Sequence, residues 1–228
     1  MKKILVSFVA LMMLVACGQS SGTAQSRYEG AYKALSSEKT ALKVSVSSMF
    51  DNTKVRIQND NLGHVVLDEN VYAAVKIPLE GSYQDVQILA ADGSYSVLNG
   101  EEEAYKGDAA GYVENIGAAL YGEFKNLLEE TAPEIEETVN GDVTEANFAL
   151  QNTEKVFAAI ATNELHDIDL DSTNGKGTLT YDKKGALTGG VFYVEFSGTL
   201  DNETWTGSTK LEFSVVDAAS ITLPDAFQ

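Results

Sequence analysis

The sequence predicts an α+β fold in which helices pack on one face of an antiparallel meander sheet. From Thr40 onward apolar and polar residues alternate, as Leu42, Val44 and Val46 show, and this period of two is typical of half-buried strands. Helical spacing replaces the alternation in the middle of the chain, and alternation returns near residue 177. A sheet, then helices, then more sheet is the element order of an α+β domain with helices on one sheet face.

The first part of the chain is predicted to be a short helix followed by a meander. A helix is expected over 27–38, where Tyr28, Ala31 and Leu35 share one face. Turn residues at Asn59-Asp60-Asn61 and at Asp92-Gly93 separate short alternating runs. The predicted strands are 42–47, 54–58, 63–67, 71–77, 85–90 and 94–98.

Two helices and a closing set of strands are predicted for the rest of the chain. Five apolar residues recur at helical spacing in the first helix, which Pro133 ends: Val113, Ile116, Leu120, Phe124 and Leu127. A second helix is expected over 153–163. Strands at 177–181, 191–200 and 204–216 are separated by turns at 182–185 and 201–203.

Composition and charge exclude several function classes. The chain has 228 residues, 44% of them hydrophobic, which is enough for a core without disulfides. Its formal net charge of −18 argues against nucleic acid as a partner, because phosphate binding needs clustered Lys and Arg. The two histidines, His64 and His166, do not have zinc-ligand spacing, and no phosphate-binding glycine loop is present. The sequence therefore predicts no catalytic residues and no cofactor.

The N-terminus has the parts of an export signal. Lys2 and Lys3 precede an apolar run over 4–15 that is too short to span a membrane comfortably. The run ends in Leu14-Val15-Ala16-Cys17, which resembles the lipobox of bacterial lipoproteins. The resemblance implies cleavage before Cys17 and attachment of palmitate-type acyl chains to its thiol. Cys17 is the only cysteine, so it has no intramolecular disulfide partner.

This reading divides the chain into three parts. Residues 1–16 are the predicted signal peptide, and 17–27 are the acylated cysteine and a flexible linker of small polar residues. Residues 28–228 are the predicted single α+β domain. The acyl chains would anchor this domain to the exported side of a membrane, which is either the extracellular face or the periplasm.

The exported body resembles the LolA-like lipoprotein-carrier superfamily in its order of elements. The best local match is the hairpin Tyr181-Asp182-Lys183-Lys184-Gly185-Ala186-Leu187, which a terminal strand follows into Ile221-Thr222-Leu223-Pro224. The resemblance implies a curved sheet and a helical lid that enclose an apolar cavity for acyl chains. We hypothesise that Ile116, Leu120 and Phe124 border this cavity.

The most metal-like feature is the alternating series Asp167, Asp169 and Asp171. A calcium loop that opened there would need Gly and Glu at positions now held by Ser172 and Thr178. The charges also suit a solvated strand edge. The sequence therefore predicts no metal site.

The function predicted from these features is non-enzymatic. The chain is expected to be a lipid-anchored envelope lipoprotein that binds or carries an apolar or acyl ligand. The alternative is an envelope scaffold whose acidic face is presented to a basic protein or a cell-wall component. The acidic runs 101–103, 129–130 and 134–137 would form that face, as exposed helix ends and loops.

Overall fold

Eleven strands of the described chain form one antiparallel sheet. A computed structural model describes residues 22–36, 40–52, 56–67, 71–79, 82–91, 94–99, 102–108, 127–129, 131–160, 168–220, 222–223 and 225–227. The strands are β1 (Leu42–Asp51), β2 (Arg56–Leu67), β3 (Val71–Leu79), β4 (Ser82–Ala91), β5 (Ser94–Asn99), β6 (Glu102–Asp108), β7 (Glu136–Asn140), β8 (Val143–Ala149), β9 (Asp169–Asp182), β10 (Leu187–Leu200) and β11 (Glu203–Val215). Two helices accompany them, α1 (Ala24–Leu35) and α2 (Thr153–Ile160).

The sheet consists of two meanders joined through their first and last strands. Its order is β6-β5-β4-β3-β2-β1-β11-β10-β9-β8-β7, so every neighbour pair except β1 and β11 is consecutive in the chain. Each neighbouring pair is antiparallel. The predicted antiparallel sheet with helices is therefore present in the described residues.

The closing hairpins follow the turn chemistry of the sequence. Asp201 and Asn202 have φ values of 54° and 62°, which gives the two-residue loop that suits a tight hairpin. The carboxylate of Asp182 accepts backbone hydrogen bonds from Lys184 at 2.8 Å and from Ala186 at 2.9 Å. These bonds lower the pKa of Asp182. Both predicted turns are confirmed.

Helix α1 begins earlier than predicted. Thr23 caps it, because its side chain accepts a hydrogen bond from the backbone N–H of Ser26 at 3.4 Å. Residues 24–26, which were predicted to belong to the linker, are therefore the first turn of the helix. The predicted helix over 153–163 is confirmed for Thr153–Ile160, which form α2, and residues 161–163 lie outside the described part of the chain.

The prediction of a turn at Asn59-Asp60-Asn61 is wrong. These residues lie inside β2, where they pair in register with Ser48, Ser47 and Val46 of β1. The unbroken pairing of β1 along ten residues overrides the turn preference of this tripeptide, because each residue has a ladder partner.

Two acidic segments expected to be loops are strands. Glu102 and Glu103 begin β6, and Glu136 and Glu137 begin β7. β7 pairs with β8 as a hairpin that the sequence did not reveal, because all five residues of β7 are exposed and lack an apolar alternation. Leu127 is the only residue of the predicted helix over 113–127 that the structure describes, and it is buried.

Both helices contact aromatic side chains of the sheet. The ring of Tyr28 in α1 lies edge-on to Phe148 of β8, with centroids 5.2 Å apart. The rings of Phe157 in α2 and Phe196 in β10 are in contact, with centroids 4.6 Å apart. Strand register places Phe148 and Phe196 on one side of the sheet, which we call the helix-facing side.

A second, smaller cluster forms on the opposite side. Tyr72 of β3 packs there against the C-terminal segment, and its ring lies 6.3 Å from that of Phe227. The hydroxyl of Tyr72 donates to the side-chain oxygen of Gln87 at 2.7 Å. The C-terminus thus covers part of the side opposite Phe148 and Phe196. Within the described residues, no helix has the length and apolar character needed to cross a membrane.

Candidate functional site on the helix-facing side of the sheet

The helix-facing side carries continuous apolar rows that cross most of the sheet. Residues directly opposite one another on neighbouring strands share a face, so the register identifies each row. One row crosses six strands and consists of Val215, Leu42, Val65, Ala73, Ile88 and Val97. The next crosses eight strands and consists of Ala146, Leu179, Gly190, Phe213, Val44, Gly63, Val75 and Val86. We call these two rows the apolar floor.

Glycines on this side are partnered by aromatic rings on adjacent strands. A Cβ added to Gly177 would lie 2.4 Å from the Phe148 ring, and one added to Gly190 would lie 2.7 Å from that of Phe213. Gly207 is similarly placed, since an added Cβ would lie 3.0 Å from the Phe196 ring. The rings therefore occupy the space above the glycine backbone, a cross-strand arrangement that stabilises glycine within strands.

The apolar floor is longer than either described helix. Eight strands at about 4.8 Å spacing extend roughly 34 Å, whereas the 12 residues of α1 extend about 18 Å. The ring contacts of the two helices fall on β8 and β10, at the end of the sheet away from β2–β5.

One buried polar pair interrupts the apolar side. The hydroxyls of Ser48 in β1 and Thr209 in β11 lie 2.9 Å apart, and both residues are buried. Each hydroxyl satisfies the other, so the pair is compatible with an apolar surrounding. It lies next to Val194 on the same side of the sheet.

An ion pair attaches α1 to the edge of the sheet. The guanidinium of Arg27 donates two hydrogen bonds to the carboxylate of Glu137 in β7, one of them from Nε at 2.9 Å. Its Nη1 also donates to the carbonyl of Gly22 at 2.6 Å. The side chains of Arg27 and Glu137 are 17% and 21% exposed, so the pair is partly shielded from water.

Two buried tyrosines lie beneath this pair. Burial raises the pKa of Tyr28 to about 12, although its hydroxyl accepts a hydrogen bond from the backbone N–H of Glu129 at 3.1 Å. Burial also raises the pKa of Tyr181. The hydroxyl of Tyr181 has no hydrogen-bond partner among the described residues.

The predicted cavity residues and the predicted anchor lie outside the described part of the chain. Ile116, Leu120 and Phe124 belong to the segment between β6 and Leu127, and Cys17 precedes Gly22. Their roles therefore remain predictions.

The alternating aspartates belong to the start of a strand. Asp169 and Asp171 are exposed in β9, and Asp167 lies outside the described residues. Ser197 and Gly198 pair with Ser172 and Leu170, which leaves Asp171 as the extra residue of a β-bulge. Within the described part of the chain, no group of three or more Asp, Glu, His or Cys side chains is placed to hold a metal ion.

The bulge explains the alternation that resembled a metal loop. Ile168 and Leu170 pack against the core before it, and Leu179 and Tyr181 do so after it. Asp169 alternates with Ile168 and Leu170 and is exposed, and Asp171 is the exposed extra residue, after which the alternate positions that face the core change. Trp205 is half-buried against the same core, opposite Gly198 of β10.

The glycine and aromatic pairs were missed at the sequence level. Gly175 and Gly177 occupy the alternate positions that Leu179 and Tyr181 continue, so glycine stands where a core residue is expected. Glycine at such a position indicates that another group lies close to the strand backbone. It could not have shown which ring lies above each glycine, because the register is set by the sheet.

No protein-family model matches the chain, and no curated protein matches it. Among solved structures, LprF from Mycobacterium bovis is similar at a TM-score of 0.46 and 14% identity, over 91% of this chain and 99% of that chain. A LolA superfamily protein from Nitrosomonas europaea has a TM-score of 0.26 and 13% identity, over 91% of this chain and 97% of that one. A DUF1329 family protein from Desulfovibrio piger has a TM-score of 0.27 and 10% identity, over 87% of this chain and 95% of that one. Scores of this size do not establish a shared fold or activity.

Proposed function

We propose that this chain is a lipid-anchored envelope lipoprotein that binds an apolar or acyl ligand over the β2–β5 part of the apolar floor. The observation that carries the proposal is the continuity of the floor. The shorter row is Val, Ala, Ile and Val on β2–β5, and the longer row is Gly, Val and Val on β2–β4 and ends at Asn99 on β5. Such a surface needs an apolar cover, because exposing it to water costs about 25 cal/mol per Å².

The cover is expected to be shared between the chain and its ligand. The ring contacts of the described helices fall on β8 and β10, and Ile88 of β4 also packs against the main buried cluster. The predicted helix over 113–127 would supply the residues for the other end, including Ile116, Leu120 and Phe124. Gly117 and Gly122 lie among the residues of its apolar stripe and would leave room beside the helix for an acyl chain.

The non-enzymatic part of the proposal rests on chemistry. In the described residues, the buried polar groups of this side include the hydroxyls of Ser48, Thr209, Tyr28 and Tyr181, and their described hydrogen bonds involve only each other or a backbone N–H. Acyl binding needs apolar area and few polar groups, which is what the floor provides.

Lipid binding can be tested on residues 22–228, which contain every described core residue. We expect fatty acids or phospholipids to co-purify and to be identified by mass spectrometry, and a fluorescent fatty acid to bind after delipidation. Val75→Trp would place a large ring on the floor and should weaken binding at least tenfold. Lys76→Trp, which changes the next residue on the opposite side of β3, is the matched control and should bind as the parent does.

Two results would contradict the proposal. One is the absence of both co-purifying lipid and fatty-acid binding in a folded protein. The other is equal binding by Val75→Trp and Lys76→Trp, which would separate the binding from the floor. The acidic-scaffold alternative would then become the better account of the chain.

A further inference from the structure

The two edges of the sheet differ in how they are protected. Strand β6 contains a bulge at Ala104, since Val97 and Leu98 pair with Tyr105 and Glu103. Bulges at an edge discourage the addition of another strand. Strand β7 pairs with β8 without a register shift, and all five of its residues are exposed as a whole, although the side chain of Glu137 is only 21% exposed. It also presents a large apolar side chain, Val139, which is 68% exposed.

The turn of the β7–β8 hairpin fixes which backbone groups point outward. Gly141 has a φ of +64°, and Asn140 and Val143 pair across this two-residue turn. The pair that closes such a turn is hydrogen-bonded, and hydrogen-bonded pairs alternate along the ladder. Thr138 is therefore bonded to β8, whereas Glu137 and Val139 direct their N–H and C=O groups toward the open edge.

Charge determines what kind of strand this edge accepts. Glu136 and Glu145 lie on the same side of the hairpin and have no ion-pair partner among the described residues. Glu137 is already paired with Arg27. A second copy of this chain would bring another body of formal charge −18 to the edge, whereas a basic segment would be attracted.

We propose that β7 is a docking edge for an extended basic segment of a partner protein, which adds to the sheet as an antiparallel strand. Main-chain bonds would form to Glu137 and Val139, in the mode by which peptides extend exposed sheet edges. The residue opposite Val139 would be apolar, and the residue opposite Glu136 would be Lys or Arg. Because an antiparallel strand meets Val139 before Glu136, the preferred pattern is an apolar residue followed three positions later by a basic one.

The test uses the full chain in nonionic detergent and two ten-residue peptides. One peptide has Val-Thr-Thr-Lys at its centre and the other has Val-Thr-Thr-Glu, and all their other residues are threonine. We expect the lysine peptide to shift the backbone amide resonances of Glu137 and Val139, and the glutamate peptide to bind at least tenfold more weakly. The lysine-peptide affinity should fall as salt is raised.

Two variants separate the backbone from the charge contribution. Val139→Pro removes an N–H that points outward, so the β7–β8 ladder is preserved while the edge is blocked. It should abolish peptide binding, and Val139→Thr is its control with the edge intact. Glu136→Lys combined with Glu145→Lys keeps the backbone and should reverse the preference toward the glutamate peptide.

The proposal is overturned by peptide shifts that persist in Val139→Pro or by equal binding of both peptides. Concentration-dependent dimerisation through β7, without peptide binding, would also overturn it and assign the edge to a second copy. Because fatty-acid binding is measured separately on the apolar floor, its outcome does not affect this test.

Discussion

The glycine and aromatic pairing of β8 and β9 makes a quantitative prediction about packing. In Gly177→Ala, the new Cβ would lie 2.4 Å from the ring of Phe148, about 1 Å closer than an ordinary contact. The ring cannot move away freely, because it packs against the rings of Tyr28 and Phe192, whose centroids lie 5.2 Å and 6.5 Å from its own. We therefore expect a loss of about 2 kcal/mol in the free energy of unfolding, within the usual cost of overpacking a core.

A second substitution should relieve that strain. Phe148→Leu alone is expected to cost about 1.5 kcal/mol through lost ring contacts. Leucine also vacates the space that the Gly177→Ala methyl needs. The double variant should be more stable than the sum of the two losses predicts, by about 1 to 2 kcal/mol, which is a typical coupling between contacting residues.

The assay is urea unfolding followed by the fluorescence of Trp205, the single tryptophan, with midpoint and slope both measured. Gly189→Ala is the matched control. Its Cβ would meet the backbone carbonyl of Phe213 at 2.6 Å, so no side-chain change at Phe148 can relieve it. Gly189→Ala combined with Phe148→Leu should be additive within about 0.5 kcal/mol. Additivity in the Gly177 pair as well would refute the proposed packing.

Four further predictions concern α1, the buried tyrosines and the N-terminus. Gly30→Ala should stabilise the protein by about 0.5 to 1 kcal/mol in urea unfolding, because Gly30 is exposed in α1 and an added Cβ would meet nothing within 4 Å. A loss of stability would contradict this prediction. Tyr181→Phe should be neutral or stabilising and Tyr28→Phe destabilising by about 1 kcal/mol, because only Tyr28 has a hydrogen bond to lose. Burial holds the pKa of Tyr28 near 12, above the value of about 10 in an unfolded chain, so the unfolded state releases its proton first as pH rises. Stability should therefore be complete below pH 10 and decline from about 10 to 12, and Tyr28→Phe should reduce that slope in denaturation at several pH values. Cys17→Ser should abolish labelled palmitate incorporation, and equal labelling of both proteins would rule out the predicted anchor.

Several features could be predicted because short-range chemistry decides them. The turns at 182–185 and 201–203 depend on residues within five positions, and the structure has both. The same is true of α2, where Val156, Phe157 and Ile160 have helical spacing. Strand β2 was misread because Asn59-Asp60-Asn61 favours a turn locally, whereas the pairing of these three residues with β1 favours extension. The hydrogen-bonded pairing of the strands outweighed the local turn preference of these three residues.

The sequence by itself determined the alternation of the strands, the acidic charge and the N-terminal pattern that predicts a lipid anchor. Each depends on neighbouring residues or on composition. Only the tertiary structure decided which residues share a row, because the pairing of β1 with β11 joins residues far apart in the chain. Ser48 and Thr209, whose hydroxyls lie 2.9 Å apart, are separated by 161 positions. The bulge at Asp171 and the open edge at β7 belong to the same category, since register and strand order follow from cooperative packing of the whole sheet.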